Sequence, residues 1–313
     1  MAKFLHSVAV QSETVSADGV QQYDLSVNPL SMVLIRLSPL NAGAAPTISP
    51  YLAIAAAMNT VKILHSGVAI VSMPGQDLAA LAYFRHGCVP TQAQQPKTDN
   101  AVRSVVVPVF MGRHAYDPKS CFPATRRGEL ILEVDFDIAS TGYDNLSVQI
   151  ETVELLGAKP SEYERKTQSV GSFPATGIND IELPIGNRVR GLLAWGNTAF
   201  SGTAPAPTLG RMETLVDNES VGYSATDFET ALMLHTLWGR QPPRFDLHTH
   251  AALDAGPYNV GSGGFENYCM LDFDPDQTDQ YALDTASASR FRLRCTAETA
   301  DAFRVTTVER VKV

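Results

Sequence analysis

The sequence predicts an all-β chain folded as two consecutive jelly-roll barrels, a double jelly roll, with one short helix in each barrel. Three observations carry that expectation. Several stretches alternate apolar and polar residues with period two, the mark of strands that bury one face. Helical signals are few and short, and nothing follows the strand–helix alternation of a parallel α/β fold. A set of elements also recurs in one order, roughly 150 to 160 residues further along the 313-residue chain. Composition agrees: 44% apolar residues supply a core, and 18% charged residues with 22 Gly and 19 Pro favour short strands and turns.

In the first half, "MVLIRLSPLN" reads as a strand ending at Asn41. The hairpin "VKILHSGVAIVSMPG" follows and runs into the helix "QDLAALAYFRHG", with Asp77 as its expected N-cap, a stripe through Leu78, Leu81 and Ala82, and Gly87 as its stop. In "ELILEVDFDI", Leu130, Leu132, Val134, Phe136 and Ile138 point one way, and Glu129, Glu133, Asp135 and Asp137 the other. "LSVQIETVEL" alternates Leu146, Val148 and Ile150 against Ser147, Gln149 and Glu151. Strands of this kind belong to antiparallel sheets with one wet face.

The second half repeats the series. "VRGLLAWGN" ends at Asn197, as the first strand ends at Asn41, and "RMETLVDNESVGYSA" reads as the matching hairpin. The helix "TDFETALMLHTLWG" has an expected capping box from Thr226 to Glu229, a stripe through Phe228, Ala231, Leu232 and Leu234, and Gly239 as its stop. In "RFRLRCTA", Phe291, Leu293, Cys295 and Ala297 lie opposite Arg290, Arg292 and Arg294, and "FRVTTVERV" closes the set. Between the halves, the polar stretch 157–177 bears Pro and Gly and reads as a linker, so that the barrels are expected over 1–156 and 178–313.

A formal net charge of −9 argues against a surface built to neutralise phosphates, so no direct sequence-specific nucleic-acid binding is expected. The four cysteines, Cys88, Cys121, Cys269 and Cys295, are far apart, contain no C-x-x-C pair and read as reduced thiols. "MAKFLHSVAV" lacks the apolar core of a signal peptide, and "YLAIAAAM" at 51 to 58 is too short to span a bilayer, so synthesis and folding in cytoplasm are expected.

Three motifs invite a chemical reading. In "RFDLHTHAALD", His248 and His250 have the spacing of two imidazoles on one metal ion. A metal-dependent hydrolase barrel collects later ligands after such a pair, yet no histidine follows His250; His6, His65, His86, His114 and His235 all precede the pair. A cupin-like metal enzyme could add Asp254 but lacks its later histidine. In "DFDPDQTD", Asp272, Asp274 and Asp276 have the first spacings of a calcium loop, but Gln277 stands at its glycine and Leu283 at its bidentate glutamate. An Asp-rich turn is the plainer reading, with a structural ion near Asp272–Asp276 left open. "GSGG" at 261 to 264 lacks the strand–helix context of a phosphate cradle. No catalytic, cofactor-binding or metal-binding residue is therefore assigned, and no cofactor is expected.

The segments "SGVAIVSMPGQDLAALAYFRHG" (66 to 87), "IELPIGNRVRGLLAW" (181 to 195) and "YCMLDFDPDQTDQYALDTASASRFRLRCTAETADAFRVTTV" (268 to 308) carry a resemblance. In plan, the chain resembles the double jelly-roll major capsid proteins of tailless icosahedral viruses, especially membrane-containing bacteriophages, with adenovirus hexon as a distant relative. The resemblance implies a non-enzymatic virion protein whose homotrimers form pseudo-hexagonal capsomers. It implies contacts with other copies and with a vertex or penton protein, and outer loops at 88–101 and 197–210. Where such a virus has an internal membrane, "MAKFLHSVAV" is the candidate contact. The alternatives are the cupin-like metal enzyme using His248 and His250, and a carbohydrate-binding jelly-roll module.

Overall fold

The computed structural model of the chain describes residues 3–41, 51–88, 100–102, 104–138, 143–198, 208–237, 265 and 267–313. The chain divides into two units, Met1–Lys166 with Arg310–Val313, and Thr167–Glu309.

The first unit contains β1 (Lys3–Val15), β2 (Gly19–Asp24), β3 (Leu30–Asn41), α1 (Tyr51–Ala55), β4 (Met58–His65), β5 (Val68–Met73), α2 (Gly75–His86), β6 (Val105–Phe110), β7 (Leu130–Phe136) and β8 (Tyr143–Leu156). One antiparallel sheet has the order β1-β8-β3-β6, and a second row has the order β2-β7-β4-β5. Strands one, eight, three and six thus share one row, and two, seven, four and five the other, which is the jelly-roll order. The alternation explains the core. Ile35, Leu37, Val107, Val61, Ile63, Leu132 and Val134 are fully buried, while Glu133 and Asp135 of β7 take the wet face with Lys62 and Asn59. Pro108, which cannot donate to a ladder, sits on the edge strand β6 opposite Leu34.

β9 (Glu162–Ser172) begins in the first unit and ends in the second. The second unit continues with β10 (Gly177–Leu183), β11 (Arg188–Gly196), β12 (Arg211–Val216), β13 (Glu219–Ser220), β14 (Thr226–Asp227), α3 (Phe228–Leu237), β15 (Tyr268–Asp272), β16 (Leu283–Asp284), β17 (Phe291–Ala297) and β18 (Ala302–Lys312), the last of which belongs to it as far as Glu309. Its rows are β9-β18-β11-β15 and β10-β17-β12-β13, with β14 paired to β12 and β16 to β11. With these two-residue bridges set aside, the order is again one-eight-three-six and two-seven-four-five. Each of the five recurring elements occupies the same topological place in both units: β3 and β11, β4–β5 and β12–β13, α2 and α3, β7 and β17, β8 and β18.

The structure corrects several local expectations. Most of the 157–177 stretch is strand, because β9 buries Glu162, Glu164 and Lys166, and a strand that buries charges reads as polar linker. Helix α2 starts at Gly75 after Pro74, which serves as its N-cap, while Asp77 lies buried in the first turn. The helix is buried on nearly every side, beyond the predicted stripe. Gly87 ends it as expected, in the left-handed conformation, donating to the Tyr83 carbonyl while Cys88 N–H reaches Ala82. Thr226 and Asp227 pair with Met212 and Arg211 in β14, so α3 begins at Phe228; Gly239 lies outside the described residues. The first five residues of "YLAIAAAM" form the short α1, with Tyr51, Leu52, Ile54 and Ala55 buried, and its Met58 opens β4.

Candidate functional site

His248, His250, Asp254 and the "GSGG" segment lie outside the described residues, as does most of the two expected outer loops. Among the described residues, no group of three or more His, Cys, Asp or Glu side chains is arranged to hold a metal ion.

The Asp-rich turn after β15 is built around a buried arginine. Asp272 Oδ1 accepts the Asp274 N–H at 2.9 Å, Asp274 Oδ1 accepts the Asp279 N–H at 2.7 Å, and Asp276 accepts the Thr278 hydroxyl at 2.7 Å. Such side-chain bonds to backbone one turn ahead are what Asp does in tight turns. The Arg190 guanidinium, 0% exposed on β11, donates to both carboxylate oxygens of Asp279, at 2.7 and 3.0 Å, and lies 3.8 Å from Asp274 Oδ2. The acidic spacing therefore serves a turn and a charge partner on another strand.

A second buried cluster lies in the first unit. Glu164 of β9 accepts from Arg85 of α2 at 2.6 Å, and Lys166 donates to the Phe110 carbonyl at 2.6 Å while standing 3.4 Å from Glu164. All three side chains are almost wholly buried. Both clusters set each buried cation beside a carboxylate, and such pairing is the condition for placing charge out of water at all. Sequence reading missed both, because partners on elements distant in the chain leave no spacing signal.

The four thiols are free, and three are buried. Burial pushes Cys121 up to about 11 and Cys295 up to about 12, and raises Cys269 further. A thiol held protonated is a poor nucleophile and a poor metal ligand.

The exposed faces carry a different kind of information. Along β10-β17-β12, Arg290 pairs with Glu182 and Arg294 with Asp180 at 2.8 Å and Glu213 at 4.0 Å, both arginines being partly exposed, while Arg292, which also pairs with Asp180, is buried. The Arg294 hydrogen bond holds Asp180 below the usual carboxylate range, against the effect of burial, and Arg290 does the same for Glu182. Among the described residues, the longest strand surface open to solvent is β1, an edge strand paired there to β8 alone, on which Phe4, Leu5 and Val8 are 66%, 43% and 53% exposed. Phe4 meets Tyr116 edge-on at 5.4 Å. From Lys3 onward, the N-terminal segment expected to be a membrane contact is a β-strand.

No family model matches the chain, and no curated protein matches it. Solved structures do. The major capsid protein P2 of bacteriophage PM2 is 12% identical, with 99% of this chain and 98% of that one covered and a TM-score of 0.66. The major capsid protein of STIV is 14% identical, with 99% and 97% covered and a TM-score of 0.71. The PBCV-1 virus capsid is 11% identical, with 99% and 94% covered and a TM-score of 0.63. The likeness is one of fold: this chain has the double jelly-roll architecture of those proteins from end to end.

Proposed function

We infer that the chain is a major capsid protein, a non-catalytic structural subunit of an icosahedral viral shell, residing in the virion. The supporting observation is the same strand order built twice, in a chain that spans nearly the full length of capsid proteins of that architecture. Two similar barrels per chain give six near-equivalent barrels when three copies surround a three-fold axis, and a hexagonal outline tiles a shell. The partners are other copies, as homotrimers and between capsomers, together with a vertex protein at the five-fold positions. An internal membrane is a competing partner for β1. The net charge of −9 suits contacts with protein better than direct contact with nucleic acid.

Light scattering on the purified full chain, followed by electron microscopy, tests this reading. The expected result is a species of three times 33.8 kDa with a hexagonal outline. A monomer that persists at high concentration overturns it. Elemental analysis separates the enzyme alternative: stoichiometric zinc, iron or manganese that is lost on His248→Ala with His250→Ala would establish a cupin-like site instead.

A further inference from the structure

The first unit shows how the outer edge of a fifth strand is covered. Beside β5 runs β9, in parallel, with Lys166 opposite Val71; both residues belong to that unit. In strand order β9 is a first strand, the counterpart of β1. In the second unit the fifth strand is β13, paired to β12 at Leu215↔Ser220 and Val216↔Glu219. No strand lies beyond it among the described residues. The chain has one other first strand, β1, whose outer edge is also open among the described residues.

An open edge of 13 residues that exposes Phe4, Leu5 and Val8 is a template for pairing with another chain, and proteins normally cover or blunt such edges. The first half of β1 carries Lys3 and no carboxylate, its His6 lying 2.6 Å from Glu151 of β8, whereas the β12–β13 hairpin carries Asp217 in its turn and Glu219 on β13. Open edge, apolar surface and charge therefore point to one occupant, a second copy of this chain.

We propose that β1 of one copy covers the β13 edge of the next, repeating between chains the parallel contact that β9 makes with β5 within one. The contact is head-to-tail, since each copy offers one edge and receives another, and three such contacts close the trimer. The proposal rests on the self-assembly reading and names the surface that reading needs.

Disulfide trapping tests it in the full chain with Cys88→Ser as background, since the remaining thiols are buried. Cysteine is placed at Phe4, His6 or Val8, each together with Ser220→Cys, so that neighbouring registers are sampled. Mild oxidation is expected to link chains into a ladder ending at the trimer for at least one pair, with Phe4→Ser plus Leu5→Ser abolishing the linked trimer. Assembly seen by light scattering with no interchain link at any of the three positions overturns the β1–β13 contact and leaves self-assembly standing. A monomer by light scattering overturns both. Flotation with phosphatidylcholine–phosphatidylglycerol vesicles that is lost in Phe4→Ser plus Leu5→Ser, without interchain links, assigns β1 to a lipid surface and overturns the proposal.

Discussion

The seventh strand of the first unit, β7, turns Glu133 and Asp135 outward, where its counterpart in the second unit, β17, carries a half-exposed Arg294 and a buried Arg292 paired with Asp180. Inward, the two strands agree in kind, with Leu130, Leu132, Val134 and Phe136 set against Phe291, Leu293, Cys295 and Ala297, all buried. The first strands differ more: β1 lies largely in solvent, while β9 buries Glu162, Glu164 and Lys166. Strand order survives a reversal of surface charge and a change in what the first strand buries. It depends on the alternation that fills the core and tolerates much elsewhere.

The largest expected effects come from the buried charge clusters, one for each unit. Glu164→Ala takes from two buried cations the carboxylate beside them and is expected to cost about 3–5 kcal/mol. Arg190→Ala removes the cation facing Asp279 and Asp274 and is expected to cost somewhat less, since the Asp279 side chain is 11% exposed and water can reach it. Urea unfolding followed by far-ultraviolet dichroism reads both, while fluorescence of the two tryptophans, Trp195 and Trp238, reads the second unit alone. Each variant should lower the transition of its own unit; one shared transition lowered by both would break the comparison and make the units a single cooperative block.

Leu132 and Leu293 hold equivalent places on β7 and β17, and both are 0% exposed. Leu132→Ala and Leu293→Ala are each expected to cost about 2–4 kcal/mol, and the difference between them measures how far each core collapses into the cavity. Denaturant midpoints of the two variants decide whether the cores are equally rigid.

Two glycines separate backbone from side-chain crowding. A Cβ at Gly112 would lie 1.8 Å from the Ser120 carbonyl oxygen, so Gly112→Ala forces a backbone shift and is expected to cost about 1–3 kcal/mol. At Gly191 the nearest atom is Met270 Cε at 2.3 Å, the free end of a flexible side chain, so Gly191→Ala is expected to cost less. Melting temperatures in the order wild type, Gly191→Ala, Gly112→Ala check this; the reverse order would place the tighter packing in the second unit.

The smallest effect comes from the outer ion pairs. Hydrogen bonds from Arg294 and Arg290 lower Asp180 and Glu182, as that from Lys62 lowers Glu133. A lowered carboxyl contributes stability that is fully present above the ordinary carboxylate range and is lost as pH falls below that range through the depressed value. The second unit, with more such pairs among the described residues, should lose more on acidification, and salt should shrink the difference because the groups are solvated. Melts from neutral pH downward, at low and high salt, test this. A difference independent of salt would locate the effect in the buried clusters instead.

Legibility in the sequence followed the way each strand divides its faces. β3, β7, β8, β11, β17 and β18, and the two hairpins that lead into helices, were readable because one face is wet or the apolar run is continuous. β15 was not, since all five residues of "YCMLD" are buried and no alternation appears. β1 fails for the opposite reason, with nearly every residue exposed, and β9 because its buried positions are charged. The Asp-rich turn could be recognised as a turn, but its partner Arg190 lies 89 residues from Asp279 in the chain and left no sign beside it.

The sequence by itself determined the class of the fold and its duplication, because side-chain periodicity and helix stops are local and survive without knowledge of what they meet. Which charges go inside, which strand edge is covered and which is left open were decided only by the tertiary structure. Those outcomes depend on which strands, distant in sequence, come to lie side by side, and a buried charge or an open edge has no local signature until its neighbour is known.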